Sequence, residues 1–244
     1  MADHLPGRDG LPDPKHRAAP DRGAPDRGAP DASPARLPEL ARWLCALAPS
    51  CGPVRLVAVD GHAGSGKSTF AARLADALGP GTPVVRLDDL ATHREPFGWA
   101  GRLRARVLEP LARGESGRYE VYDWTRRRFA DEREVPAAPV VLLEGVGAAR
   151  REVRPFLAAA LWMETDVRTS HARGLLRDRP PGSEDPDGYW ERFWREWARA
   201  EAAHFAADPS RPRADLLVLQ RDGDYGFLPG PGKGRAALRF RDRP

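Results

Sequence analysis

Nine residues, G-H-A-G-S-G-K-S-T from Gly61 to Thr69, constrain this chain more than any other segment. The apolar run Val54 to Val59 leads into them and the helix-like run Phe70 to Leu78 follows. The segment therefore reads as a Walker A loop set between a strand and a helix. Gly61, Gly64 and Gly66 let the backbone curl until successive N–H groups point inward, and the helix N-terminus adds partial positive charge. An anion with several oxygens suits such a cradle, which makes nucleotide phosphate the expected ligand and Gly61, His62, Ala63, Gly64, Ser65, Gly66, Lys67, Ser68 and Thr69 the expected ATP-binding segment. Lys67 would reach the β and γ phosphates, and the Ser68 hydroxyl would enter the shell of a Mg²⁺ ion bridging them. Of 39 basic residues only Lys15, Lys67 and Lys233 are lysine. A compact ammonium on a flexible stem suits the loop better than a planar guanidinium.

At 244 residues, 30% charged and 41% hydrophobic, the chain has the length and composition of a globular domain with a sizeable core. No apolar run approaches the roughly 18 residues needed to cross a bilayer. Met1 to Arg36 has no apolar signal-peptide core. Cytoplasmic residence is expected. Cys45 and Cys51 are too few for a disulfide framework and lack zinc spacing, and the six histidines form no ligand pair. The only metal implied is Mg²⁺ held largely by phosphate. A net charge of +4, mostly arginine spread through helices, favours a polyphosphate substrate over nucleic acid.

Residues 1–35 are rich in Pro, Gly, Asp and Arg and repeat D-R-G-A-P at Asp21 and Asp26. So few apolar groups cannot offset ordering entropy, so a disordered tail is expected there. A folded domain follows over 36–220, then a loose tail over 221–244. Leu37, Leu40, Leu44 and Leu47 mark one helix face. Five apolar runs read as buried parallel strands: Val54 to Val59, Pro83 to Leu87, Val140 to Leu143, Leu161 to Met163 and Leu216 to Leu219. Helices are predicted over Ser68 to Leu78, Gly101 to Arg113, Val153 to Ala159, Val167 to Leu176 and Gly188 to Ala206. The architecture is then α/β, a five-stranded parallel sheet flanked by helices. In the last helix Trp190, Phe193, Trp194 and Trp197 form a stripe, read here as core packing.

In an open α/β sheet the chemistry lies at the carboxyl ends of the strands. Asp88 and Asp89 follow the second predicted strand and Glu144 the third. A carboxylate placed there can take the proton from an attacking hydroxyl, or help to hold Mg²⁺ through a water.

The order of these motifs resembles the uridine kinase group of P-loop kinases, with phosphoribulokinase and pantothenate kinase relatives. The resemblance runs from about Val54 to Val218 and rests on G-H-A-G-S-G-K-S-T, L-D-D-L, V-Y-D-W at Val121 to Trp124, V-V-L-L-E-G-V, R-x-x-x-R-D at Arg173 to Asp178, and A-D-L-L-V from Ala214. It implies the P-loop nucleoside triphosphate hydrolase fold with an arginine-bearing lid. It implies Asp88 as general base, Asp89 being the neighbouring alternative, and Tyr122, Asp123 and Trp124 in the acceptor pocket. Lid arginines Arg173 and Arg177, with Arg179 nearby, would approach the transferring phosphoryl group alongside Lys67. Where uridine-cytidine kinases carry a pyrimidine-reading histidine, this chain has Arg127. Arg126, Arg127 and Arg128 suit an acceptor with its own phosphate or carboxylate, and equally a solvated basic turn.

The expected activity is transfer of the γ-phosphoryl group of Mg-ATP to a hydroxyl of a small molecule, nucleosides being the first acceptors to test. The alternatives are an ATP-switched regulatory module, a kinase for another small acceptor, or a polynucleotide-end kinase. No N-K-x-D guanine-reading motif and no L-S-G-G-Q segment occurs. No membrane partner is expected, and homo-oligomerisation is left open.

Overall fold

Each central strand is buried on both faces, and this sets the layering. In the computed structural model, which describes residues 37–179, 188–221 and 223–232, β1 (Arg55–Asp60) turns Leu56 and Ala58 to one side of the sheet and Val57 and Val59 to the other. β5 (Val140–Glu144) alternates in the same way, Val141 and Leu143 against Val140 and Leu142. Such runs suit a sheet covered on two faces. One cover comes from α1 (Leu37–Ala46) and α2 (Lys67–Leu78), which contribute Leu40, Leu44, Phe70 and Leu74. The other is the helical segment α3 (Ala100–Leu103), a π-helical stretch Arg104–Leu108 and α4 (Glu109–Ala112), which brings Trp99, Leu103, Val107 and Leu111.

The sheet contains six strands, not the five expected. With β2 (Val84–Arg86), β6 (Leu157–Met163), β7 (Leu216–Arg221) and β8 (Asp224–Pro229), the order is β2-β5-β1-β6-β7-β8. The five expected strands all pair in parallel, and β8 returns antiparallel on β7, with Val218 opposite Phe227. The domain therefore runs beyond residue 220, because the buried Tyr225 and Phe227 give β8 an apolar face against Phe70. The remaining residues of the expected loose tail, from 233, and the expected N-terminal tail lie outside the described residues.

Two further differences have local causes. The helix expected over Val153 to Ala159 is a single 3₁₀ turn at Arg154–Phe156, after which β6 begins at Leu157. Pairing with β1 along Leu56 to Asp60 overrides the helical preference of L-A-A-A. A separate antiparallel hairpin, β3 (Gly117–Asp123) and β4 (Arg128–Val135), lies outside the sheet and packs Tyr119 and Val135 on the Trp99 side of the core. Helices α5 (Val167–Asp178) and α6 (Tyr189–Ala207) complete the fold near the carboxyl ends of the strands. Among the described residues no helix is long and apolar enough to cross a membrane.

Candidate active site

The connection out of β1 is the Gly61 to Thr69 loop, and it enters α2 with Gly66 as N-cap in the left-handed region (φ 90°). No side chain caps α2 and no acidic residue stands in its first turn. Its leading N–H groups thus lack a side-chain acceptor, the condition in which a helix start takes an anion. At Gly64 (φ 82°) a Cβ would stand 2.0 Å from the Ser170 carbonyl oxygen, so α5 backs directly onto the loop and only glycine fits. Lys67 is 6% exposed, and its ammonium donates to the His62 carbonyl at 2.9 Å, closing the loop on itself.

Asp60, at the end of β1, accepts N–H bonds from Gly61 (2.7 Å), Gly147 (2.8 Å) and Ala149 (2.9 Å). One carboxylate thereby fixes the loop after β1 to the loop after β5. Burial pushes its pKa up against these bonds, which favour the charged form. Glu144, the last residue of β5, is 6% exposed and bonds to the Ser68 hydroxyl. Burial raises its pKa; Lys67 nearby opposes that rise and Asp88 adds to it.

A second carboxylate joins the loop to the helices. Glu201 of α6, 1% exposed, accepts from the Ala63 N–H through Oε1 (2.7 Å). Its Oε2 lies 2.9 Å from His62 Nδ1 and 2.9 Å from His171 Nε2. A carboxylate only accepts, so each of those ring nitrogens carries a hydrogen. Burial is the strongest influence on Glu201 and pushes its pKa up, yet the bonds from His62, Ala63 and His171 outweigh it and hold the carboxyl below its usual value. Glu201 and His171 belong to the site's framework although nothing in the sequence marked them: the pairing joins residues from three distant elements.

A cavity of about 570 Å³ opens at the carboxyl ends of β1, β2 and β5, within the range of small-molecule sites. The structure brings Ala63, Gly64, Gly66, Lys67, Ser68, Thr69, Asp88, Trp124, Glu144, Arg173 and Arg177 to its walls. Arg173 and Arg177 stand one helical turn apart on α5. Arg177 Nε and Nη2 hold the Asp178 carboxylate at 2.6 and 3.0 Å. Gly61, His62 and Ser65 support the loop from behind, Gly61 and Ser65 fully buried and His62 packed edge-on against Trp162 and Phe205.

Besides Gly61, His62 and Ser65, four further expected site residues do not line the cavity. Asp89 is 1% exposed, and its Oδ2 accepts from Arg133 Nη1 (2.9 Å) and Tyr119 Oη (3.3 Å), which ties the segment after β2 to the hairpin. Tyr122 is buried, with its hydroxyl 3.1 Å from His93 Nδ1. His93 and Trp124, their ring centroids 4.8 Å apart, stand at the cavity instead. Asp123 caps the hairpin turn through the Thr125 and Arg126 N–H groups (2.9 and 2.8 Å). Arg127 occupies that turn at φ 54° and is exposed. Arg126 and Arg128 are exposed beside it, which favours the solvated basic turn. Arg179 is exposed just beyond α5. The lining also includes Arg86 and the α6 aromatics Tyr189, Trp190, Phe193, Trp194 and Trp197, of which only Trp194 is a buried residue. The stripe read as core packing therefore faces the site.

No family model matches the chain. A uridine kinase of Halobacterium salinarum is 24% identical over 183 residues, covering 68% of this chain and 80% of that protein. Among solved structures, a candidate fructose transport system kinase from Silicibacter sp. TM1040 aligns at a TM-score of 0.50 and 24% identity, covering 69% of this chain and 89% of that one. A candidate uridine kinase from Bacillus stearothermophilus aligns at 0.51 and 19%, covering 75% and 96%. What this chain resembles, in sequence over 183 residues and in fold over up to three quarters of its length, is the uridine kinase-like group of P-loop kinases.

Proposed function

We propose that this chain is an ATP-dependent phosphotransferase of uridine kinase-like type, moving the γ-phosphoryl group of Mg-ATP to a hydroxyl of a small molecule, with nucleosides as the first acceptors to test. One observation carries the reading: a single cavity is lined by the phosphate loop, two carboxylates from adjacent strands and two arginines from a neighbouring helix. Phosphoryl transfer requires positioning and charge neutralisation more than covalent help from the protein.

The loop N–H groups and Lys67 bind the triphosphate, Lys67 exchanging the His62 carbonyl for phosphate oxygen. The Ser68 hydroxyl and the Glu144 carboxylate, already bonded to each other, are hard oxygen donors that fit Mg²⁺. When bound, the ion neutralises charge on the β and γ oxygens. Asp88, exposed at the cavity wall, takes the proton of the acceptor hydroxyl. Arg177 turns from Asp178 toward the transferring group as charge develops, and Arg173 supports it.

Asp88→Asn tests the assignment. ATP binding should persist within about twofold while transfer falls by roughly 10²- to 10⁴-fold, the usual loss with a general base. Lys67→Ala should lose ATP binding and transfer together. Unchanged transfer in Asp88→Asn would remove Asp88 from the chemistry, and unchanged transfer in Lys67→Ala would refute the phosphate-loop mechanism.

A further inference from the structure

One wall of the cavity is an aromatic surface. The sequence Y-W-E-R-F-W-R-E-W sets Trp190, Phe193, Trp194 and Trp197 at helical spacing on one face of α6. Trp194 fills the α5–α6 contact over Gly174, where a Cβ would meet its ring at 2.0 Å. Trp190, Phe193 and Trp197 remain partly exposed along the cavity, the Phe193 and Trp197 rings nearly parallel at 24°.

The other contacts of α6 show which side of the site this face serves. Trp197 lies 5.4 Å from Phe97, and His204, further along α6, stacks on Phe97 at 4.6 Å and 7°. Phe97 belongs to the segment that leaves β2 through Asp88, and Arg150, after β5, holds its carbonyl at 2.7 Å. The aromatic face thus lies toward the β2–β5 edge, where Asp88 stands, away from β7 and β8. A second observation is independent of the first: Trp197 Nε1, like Trp194 Nε1 beside it on α6, is buried with no hydrogen-bond partner among the described residues. Buried indole N–H groups normally have one.

We propose that Trp190, Phe193 and Trp197 seat the acceptor, and that the acceptor is an uncharged alcohol carried on a flat ring system with a hydrogen-bond acceptor at its rim. The proposal rests on the phosphotransferase reading and narrows its substrate. A ring exchanges hydrated apolar surface for stacking, whereas an open-chain polyol would set hydroxyls without partners against the same wall. Of the cations that line the cavity, Lys67, Arg173 and Arg177 serve the triphosphate in this reading and Arg86 acts on Glu144, while Arg126, Arg127 and Arg128 do not line it, so among the described residues no lining cation is left for an anionic acceptor.

The test uses the full chain with Mg-ATP and three acceptor sets: neutral ring-bearing alcohols (nucleosides, hydroxymethylpyridines, benzyl alcohols), open-chain polyols, and sugar phosphates. Product mass is the readout. Ring-bearing alcohols should turn over well above acceptor-free hydrolysis, and the other sets should not; preference for a polyol or a sugar phosphate overturns the proposal. Phe193→Ala should raise the KM of the best ring alcohol about tenfold, the scale of one lost stacking partner, with the affinity for a non-hydrolysable ATP analogue within twofold. Trp197→Phe keeps the ring and removes the N–H. It should raise KM severalfold for acceptors with a rim carbonyl and leave those without one unmoved. Loss of analogue affinity with unchanged acceptor KM would assign the wall to the donor base, and no change in either would reduce it to packing. Quenching of tryptophan emission by ring alcohols, with the ATP analogue present, scores the wall apart from transfer. Quenching lost in Phe193→Ala but without transfer in the parent keeps the wall and refutes the kinase; transfer without such quenching does the reverse.

Discussion

Replacing Glu201 by Gln leaves the shape of α6 nearly unchanged and removes one negative charge at the meeting point of three elements. In the parent, one carboxylate receives the Ala63 N–H at 2.7 Å and two imidazoles at 2.9 Å each. The Gln carbonyl can keep the Ala63 bond, but its NH₂ then faces both imidazoles. One or both must change tautomer or turn away. A hydrogen bond to a charged group is worth about 1.5–3 kcal/mol and a neutral one about 1. The loss is shared within one network and is not the sum of its bonds, so Glu201→Gln should cost about 2 kcal/mol. Glu201→Ala, which leaves the Ala63 N–H and both rings without their acceptor, should cost about 4 kcal/mol. In a domain of this size, 2 kcal/mol corresponds to a melting temperature lower by about 4–8 °C. Thermal and urea denaturation at neutral pH measure both variants. A Glu201→Gln protein melting within about 1 °C of the parent would refute the view that this carboxylate holds the phosphate loop to α5 and α6.

Acid should weaken the parent in two stages. His204 is held below its usual value of 6.5, first by burial and then by Arg150, so the unfolded chain takes that proton first and stability begins to fall below about pH 6.5. Glu201 is held below its usual 4.5; its contribution is complete above that value and is lost as pH falls through the folded one, so urea midpoints across pH should show a lower stage that Glu201→Gln lacks. Gly174→Ala gains helix propensity of about 1 kcal/mol but drives a methyl into Trp194; denaturation should show a net loss of about 1–3 kcal/mol, and a more stable variant would contradict the tight α5–α6 contact. Asp89→Asn removes the charge that holds Arg133 and Tyr119, and should lower stability by about 1–2 kcal/mol in the same assay.

The central sheet was legible because its strands are apolar on both faces, and the phosphate loop because its glycines and Lys67 act within nine consecutive residues. The hairpin was not. β4 reads R-F-A-D-E-R-E-V and buries only Val135, so its pairing leaves almost no apolar trace. β8 was read as tail because Tyr225 and Phe227 are its only two large buried rings, and their partner Phe70 lies far away in sequence. Local propensity misled over L-A-A-A, where the neighbouring strand decides. The α6 stripe had the right period, but periodicity cannot tell a core face from a face that lines a cavity, since both set apolar residues at helical spacing. Asp88 and Asp89 look equivalent as neighbours, yet opposite burial separates an exposed carboxylate at the cavity from one consumed by Arg133 and Tyr119.

Lys67 has a practical consequence. Arginine supplies nearly all the positive charge, and the side-chain amines of the entire sequence are three, at positions 15, 67 and 233. Only the middle one falls among the described residues, 6% exposed and engaged with the His62 carbonyl. An acylating reagent therefore has only three side-chain amines to meet, and the one in the phosphate loop is told from the other two by its peptide. The mass shift on the peptide carrying Lys67 becomes a one-channel meter of whether that loop is closed on itself, open, or filled.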